Sequence, residues 1–372
     1  MKTALLFSKW PLAYLLFALL FVKIVGVLFA VEIFAKFTPL VDSSLYMQGA
    51  MNLDAHIRTR LVGITAYSLH SIGGIYITHF IFSLFSIMGV LYYYLTGGRR
   101  WALLLFLALP SSLVWTSIAG KEAIFFGAVG VVIVIWSKYV FANLSKYDLF
   151  FLISCLLICL VFRPHYTFPL VWLFLSTFFL KKFISKKSTL SSLFLILLFF
   201  LILIYLGYDD LLMRGWGGID PSARSSRFID YEIVPNSESG FEKYKSMIFL
   251  GSMLGIIGPT PFEVLRRIEL APFLLEGIMI FLMPFLILIF AKNRSEIRNS
   301  FFYKIFFYSL IPTISMLMVI HAPFGFLNPG SAVRWRVNFE QFFYLAPMML
   351  IFRFMDETKK ENISLSSKWK IC

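Results

Sequence analysis

The chain has 372 residues, 59% hydrophobic and only 15% charged, with a mean hydropathy of +0.81. No water-soluble domain of this size buries so much apolar surface, which excludes a soluble enzyme, a coiled coil and a disordered chain. The net charge of +14 reads here as Lys and Arg at the cytoplasmic ends of membrane spans, not as a surface for nucleic acid.

Crossing about 30 Å of hydrocarbon takes roughly 20 apolar residues. In chain order the qualifying runs are 10–36, 72–95, 101–118, 122–141, 149–163, 166–180, 189–207, 272–291, 301–320 and 338–355. The expected architecture is therefore all-α: a single polytopic membrane domain over 1–372 with about ten transmembrane helices. The first run follows Lys2 and Lys9, is too long for a signal-peptide core and ends without a small-residue cleavage site, so it is expected to stay as an uncleaved span. Short connections carrying Arg99 and Arg100, Lys138 and Lys146, Lys181 and Lys182, Lys292 and Arg294, and Lys359 and Lys360 fall on one side. The positive-inside bias makes that side, and with it both termini, cytoplasmic. The long segments 37–71, 207–271 and 321–337 then face outward. Within 207–271, the apolar stretch 241–257 reads as an interfacial or re-entrant helix.

Ten of the fifteen Arg fall on the outward side, against the positive-inside bias. Arg suits two-pronged contacts with phosphate or carboxylate; headgroup anchoring is the plainer alternative. In the first outer segment, Asp42 in DSSLY is either the N-cap of a helix over Met47 to Ala55 or a general base. Lys121 and Glu122 sit in a tight turn after Pro110-Ser111-Ser112; they either neutralise each other or bind an anion (Lys121) and accept a proton (Glu122). Arg163 precedes Pro164 between two short spans, which places a guanidinium near the apolar slab, where charged groups usually mark a functional cavity. His165 beside it has an unperturbed pKa near working pH. The 207–271 loop holds Arg224 and Arg227 among aromatics and carboxylates, as a carbohydrate would require. Arg334 and Arg336 flank Trp335 before the last span, as a pair holding a diphosphate or as interface anchors. The sequence has no Walker A, dinucleotide-binding, HExxH or GxSxG pattern, and its five His have no ligand spacing, so no metal is indicated. The three Cys have neither a disulfide framework nor ligand spacing.

This layout, with the phrases PSSLVWTSIAGKE (Pro110 to Glu122), RPHYTFP (Arg163 to Pro169), GPTPFE (Gly258 to Glu263) and NPGSAVRWR (Asn328 to Arg336), resembles the bacterial Wzy-type polymerases of O-antigen and capsule assembly. The resemblance implies a protein of the bacterial inner membrane with 207–271 as a large periplasmic loop. It implies transfer of a glycan from undecaprenyl diphosphate to the next lipid-linked repeat unit, without a nucleotide sugar or an obligatory cofactor. A chain-length regulator protein is the further partner it implies. Arg163, Lys121, Arg224, Arg227, Arg334 and Arg336 would then hold the diphosphate, with His165, Asp42 or Glu122 as the base. Two alternatives stand beside it. A GT-C-type transferase using a lipid monophosphate sugar would place an acid such as Asp42 in its first outer loop. A flippase for lipid-linked sugars would carry charges along its spans, where this chain has only Lys23, Glu32, Glu276 and Lys304.

Overall fold

A computed structural model describes residues 9–38, 40–49, 56–183, 188–211, 246–293, 300–327 and 329–368. Among these the regular structure is helical, apart from one antiparallel bridge between Lys9 and Arg100. The α-helices in chain order are α1 Leu12–Leu28, α2 Val41–Met47, α3 Ile57–Ser86, α4 Met88–Leu95, α5 Leu103–Leu107, α6 Pro110–Trp115, α7 Lys121–Phe141 and α8 Lys146–Phe162. They continue as α9 Thr167–Phe183, α10 Ser188–Leu206, α11 Ile248–Ile257, α12 Pro261–Arg266, α13 Ala271–Lys292, α14 Ser300–Ile305, α15 Ile311–Leu327 and α16 Pro329–Lys368. Five stretches among the described residues are long and apolar enough to cross a membrane: Leu12–Lys36, Ile57–Ser86, Lys121–Phe141, Ile268–Lys292 and Phe301–Gly325. The described residues thus form an all-helical structure of membrane character.

Two expected spans are interrupted. Helix α3 bends at Gly74, whose φ of 71° lies in a region open to glycine, so residues 57–73 and 75–86 run as two arms. The run 101–118 forms no continuous helix. Leu109 is extended because Pro110 follows it, and the chain restarts there as the six-residue α6 with Pro110 in its first turn. Within the stretch 241–257, expected as an interfacial or re-entrant helix, the described residues form the ten-residue α11, about 15 Å long and too short to cross.

Helix α7 is the axis of the molecule, buried along most of its length. It approaches α3 so closely that a Cβ on Gly127 would lie 1.9 Å from the Phe85 carbonyl oxygen. Small residues allow such close contacts between helices in membranes, where packing replaces the hydrophobic drive. On its other side α7 meets α16, where Gln341 Nε2 donates to the Phe126 carbonyl at 2.8 Å and Phe339, Phe342 and Phe343 are buried.

Helix α8 returns antiparallel to α7. Its start is fixed by a capping box in which Ser145 and Asp148 exchange hydrogen bonds. Asp148 also accepts from Lys138 Nζ at 2.5 Å and from Tyr92 Oη at 2.6 Å. This tie at the far end of α7 sets the register of the pair, so Arg163, just past the end of α8, comes back level with Lys121 and Glu122 at the start of α7. Helix α16 runs the same way as α7: Arg334 lies near its start, and Asp356 pairs at the opposite end with Arg100 at 2.7 Å and Lys9 at 3.4 Å.

Candidate functional site

Four segments converge where α7 and α16 begin. Glu122 uses both carboxylate oxygens: Oε1 accepts from Arg163 Nη2 at 3.1 Å and Oε2 from Arg334 Nη2 at 2.9 Å. Arg334 then reaches Asp42, its Nη1 donating to Oδ2 at 2.5 Å. Each guanidinium lies against an indole, Arg163 over Trp335 at 4.2 Å and Arg334 over Trp115 at 5.5 Å, a contact that compensates part of the lost hydration. Lys121 Nζ donates to Thr59 Oγ1 at 3.2 Å and lies 5.9 Å from the centre of the Tyr46 ring. Burial, together with the carboxylates of Asp42 and Glu122, pushes the Tyr46 phenol well above its ordinary range and keeps it protonated.

The members differ in access. The side chain of Glu122 is 3% exposed, that of Arg334 18% and that of Asp42 46%. Among the described residues, Arg163, Arg334 and Lys121 stand against Glu122 and Asp42, one positive charge in excess. Each oxygen of the buried Glu122 is engaged by a different guanidinium, so Glu122 serves as a fixed strut between Arg163 and Arg334. Asp42 is the carboxylate open to solvent.

Asp42 does not cap a helix over Met47 to Ala55. It lies in the first turn of α2, whose N-terminal boundary residue is Leu40, without a side-chain capping bond, and residues 50–55 are outside the described set. Helix α2 is docked on the loop before α7, where Ser43 Oγ donates to the Ala119 carbonyl at 2.7 Å and the Ala119 amide donates to His79 Nδ1 at 2.9 Å. Lys121 and Glu122, expected in a tight turn, form the first turn of α7 and pair with other segments. His165 is half-buried on the short turn after Arg163, its ring centre 4.8 Å from that of Tyr166. Arg224 and Arg227 lie outside the described residues. Arg58, among the outward Arg, donates to the Phe162 carbonyl at 3.1 Å, holding the end of α8.

Arg336 goes elsewhere. Positions two apart on a helix differ by about 200° in direction, so Arg334 and Arg336 diverge on α16 and cannot grip one diphosphate together. Arg336 is fully buried, paired with Glu276 Oε2 at 2.7 Å. Its Nη1 donates to the carbonyls of Ile256 and Gly258, each at 2.8 Å, and its Nη2 to Ser111 Oγ at 2.8 Å and the Phe273 carbonyl at 3.1 Å. It therefore joins α6, α11, α13 and α16 from inside.

Sequence reasoning missed how far this inner network extends. Ser111 also donates to Glu276 through its backbone amide, at 3.0 Å to Oε2. Beside it Ser112 Oγ donates to Glu340, and Lys23 Nζ donates to Thr116 Oγ1 at 2.6 Å. The signal was the hydroxyls of Ser111, Ser112, Thr116 and Ser117, too many for a lipid-facing helix, in reach of the intramembrane charges Lys23 and Glu276.

No family model matches this chain, and comparison with curated proteins and with solved structures finds no match either.

Proposed function

We propose that this chain is a membrane glycosyltransferase of surface-polysaccharide assembly, extending a glycan carried on a lipid diphosphate. The observation that carries the reading is the cationic centre of Arg163, Arg334 and Lys121, one charge in excess of its carboxylates, with the exposed Asp42 at its rim. In this reading the centre lies on the outer, periplasmic face of the inner membrane, both termini are cytoplasmic, and the shorter and interrupted helices complete about ten crossings, as the distribution of Lys and Arg supports.

The chemistry follows from the charges. The acceptor hydroxyl attacks the anomeric carbon of the donor glycan, the bond from that carbon to the phosphate oxygen breaks, and the diphosphate leaves with the electron pair. Arg163 and Arg334 stabilise the charge that develops on it. The carboxylate of Asp42 takes the proton from the hydroxyl. Between His165 and Asp42 as base, the direct contact of Asp42 with Arg334 favours Asp42.

The same contact also favours a second reading, a GT-C-type transferase adding one sugar from a lipid monophosphate, since such enzymes use an acid of the first outer loop. A deletion strain separates the two. Loss of the ladder of long glycans with retention of single repeats is the expected result. A full ladder lacking one sugar would transfer the case to the second reading, and an unaltered glycan would refute both.

A further inference from the structure

Helix α16 carries a further arginine, Arg353, about 28 Å along the helix axis from Arg334. That distance is close to the roughly 30 Å of bilayer hydrocarbon, so with the cationic centre at one membrane face Arg353 comes to the other. The rings at this end agree with that depth. Trp10 stacks on Trp101 at 5.8 Å, and Trp10 and Tyr147 are exposed, as aromatic side chains at headgroup level are. The carboxylate of Asp356 is taken by Arg100 at 2.7 Å and Lys9 at 3.4 Å. Arg353 lies over the Tyr93 ring at 5.8 Å. Its Nε and Nη2 atoms are enclosed, and among the described residues neither has an acceptor; Glu357, one turn further along α16, supplies none. Nε–H and one N–H of Nη2 point the same way and form one edge of the planar fork. Arg163, Arg334 and Arg336 differ, because each has its Nη2 engaged.

We propose that this edge of Arg353 binds the phosphate of an anionic lipid in the leaflet opposite the cationic centre, the cytoplasmic leaflet in the orientation given above. The inference needs only a membrane-embedded chain and stands apart from the transferase reading. Two parallel N–H donors match two oxygens of one phosphate. A charged donor enclosed without an acceptor is costly, so an oxyanion from outside the chain relieves a cost that the chain itself leaves unmet. Arg353 is only half-buried, which keeps it within reach of the surface. Depth selects a lipid over a free phosphate, because the edge lies among rings at headgroup level, where basic sites gather acidic lipids. Lys9 and Arg100, close by, add to the attraction.

The test follows thermal unfolding of the full chain in neutral detergent micelles during titration with phosphatidylglycerol, phosphatidylcholine or inorganic phosphate. Phosphatidylglycerol is expected to raise the unfolding temperature of the wild type, since a ligand of the folded state stabilises it, and the other two probes are expected not to. Arg353→Gln loses no internal acceptor, so before lipid is added it should unfold within about 2 °C of wild type. It should then need at least about tenfold more phosphatidylglycerol for the same rise. Arg353→Lys keeps the charge without the edge and should need at least about threefold more. A wild type that ignores phosphatidylglycerol, or responds equally to phosphatidylcholine, overturns the proposal. An equal response to inorganic phosphate gives the site to a free anion and overturns its assignment to lipid. Arg353→Gln responding as wild type does overturns the site, and Arg353→Lys doing so overturns the two-pronged edge. A Gln variant that unfolds more than about 2 °C early without lipid shows that the guanidinium already serves the fold, which refutes the premise.

Discussion

Glu122 is the residue whose replacement separates a strut from a catalytic base. Its side chain is 3% exposed, and its two oxygens hold Arg163 at 3.1 Å and Arg334 at 2.9 Å. Removing one partner of a buried ion pair costs about 3–5 kcal/mol, because the remaining charge is left uncompensated. Glu122→Ala is expected to lose stability in that range. Glu122→Gln keeps one acceptor oxygen but turns an NH2 group toward the other guanidinium. Arg163 retains its indole, worth about 1 kcal/mol, and Arg334 retains Asp42, so a loss of about 2–3 kcal/mol is expected. Unfolding in mixed micelles by added dodecyl sulfate reads both values. The double variant Glu122→Gln with Arg163→Gln should cost at least about 1 kcal/mol less than the two singles together, since neighbours in one network do not add. A base would behave the other way: activity gone, stability intact. A Glu122→Gln protein within about 0.5 kcal/mol of wild type, with additive singles, would refute the strut.

Arg336→Met should destabilise by about 3–5 kcal/mol by leaving Glu276 buried and unpaired, and adding Glu276→Met should recover most of the loss in the same unfolding assay. Arg163→Lys keeps a charge but neither the planar fork nor the stacking on Trp335, so glycan extension, read as the ladder on a gel at matched protein level, should fall at least about tenfold. Asp42→Asn frees Arg334 from a competing carboxylate; calorimetry should find inorganic diphosphate bound about fivefold more tightly while transfer is lost. Unchanged affinity would mean that Asp42 and the anion do not compete for Arg334.

The members of the cationic centre were legible one at a time, because a charge in a chain this apolar has few tolerable places. Arg163 stood out on that ground, Arg334 as an outward Arg against the positive-inside bias, Lys121 and Glu122 as a charged turn, and Asp42 as a cap or base in the first outer segment. Their partnership was not legible. Arg163 and Glu122 are 41 residues apart, Arg334 and Glu122 212, and Arg334 and Asp42 292, and no local spacing encodes such contacts. Lys121 and Glu122, adjacent in sequence, invited pairing with each other, yet as the first turn of α7 each is taken by another segment. The pairing of Arg334 with Arg336 failed for a reason that was available: a helix reaching back to Pro329 sends positions two apart to opposite sides. The break at Leu109 follows from the residue after it, Pro110, whose effect was masked by the apolar run on both sides.

The two networks at the start of α16 use the same residue types and have opposite capacities. Arg336 is engaged by one carboxylate, one hydroxyl and three carbonyls, and it is sealed from solvent. An incoming anion would have to displace the acceptors held by both Nη groups, with no gain in charge compensation, so this network holds helices together. Arg334 binds two carboxylates, sharing Glu122 with Arg163, remains partly exposed, and belongs to a cluster with one positive charge in excess among the described residues. An anion arriving there relieves an existing imbalance, and the carboxylate it displaces, Asp42, is the one already half in solvent. Ligand capacity on this helix is therefore set by the helical phase, which gives position 334 to the open rim and position 336 to the closed interior.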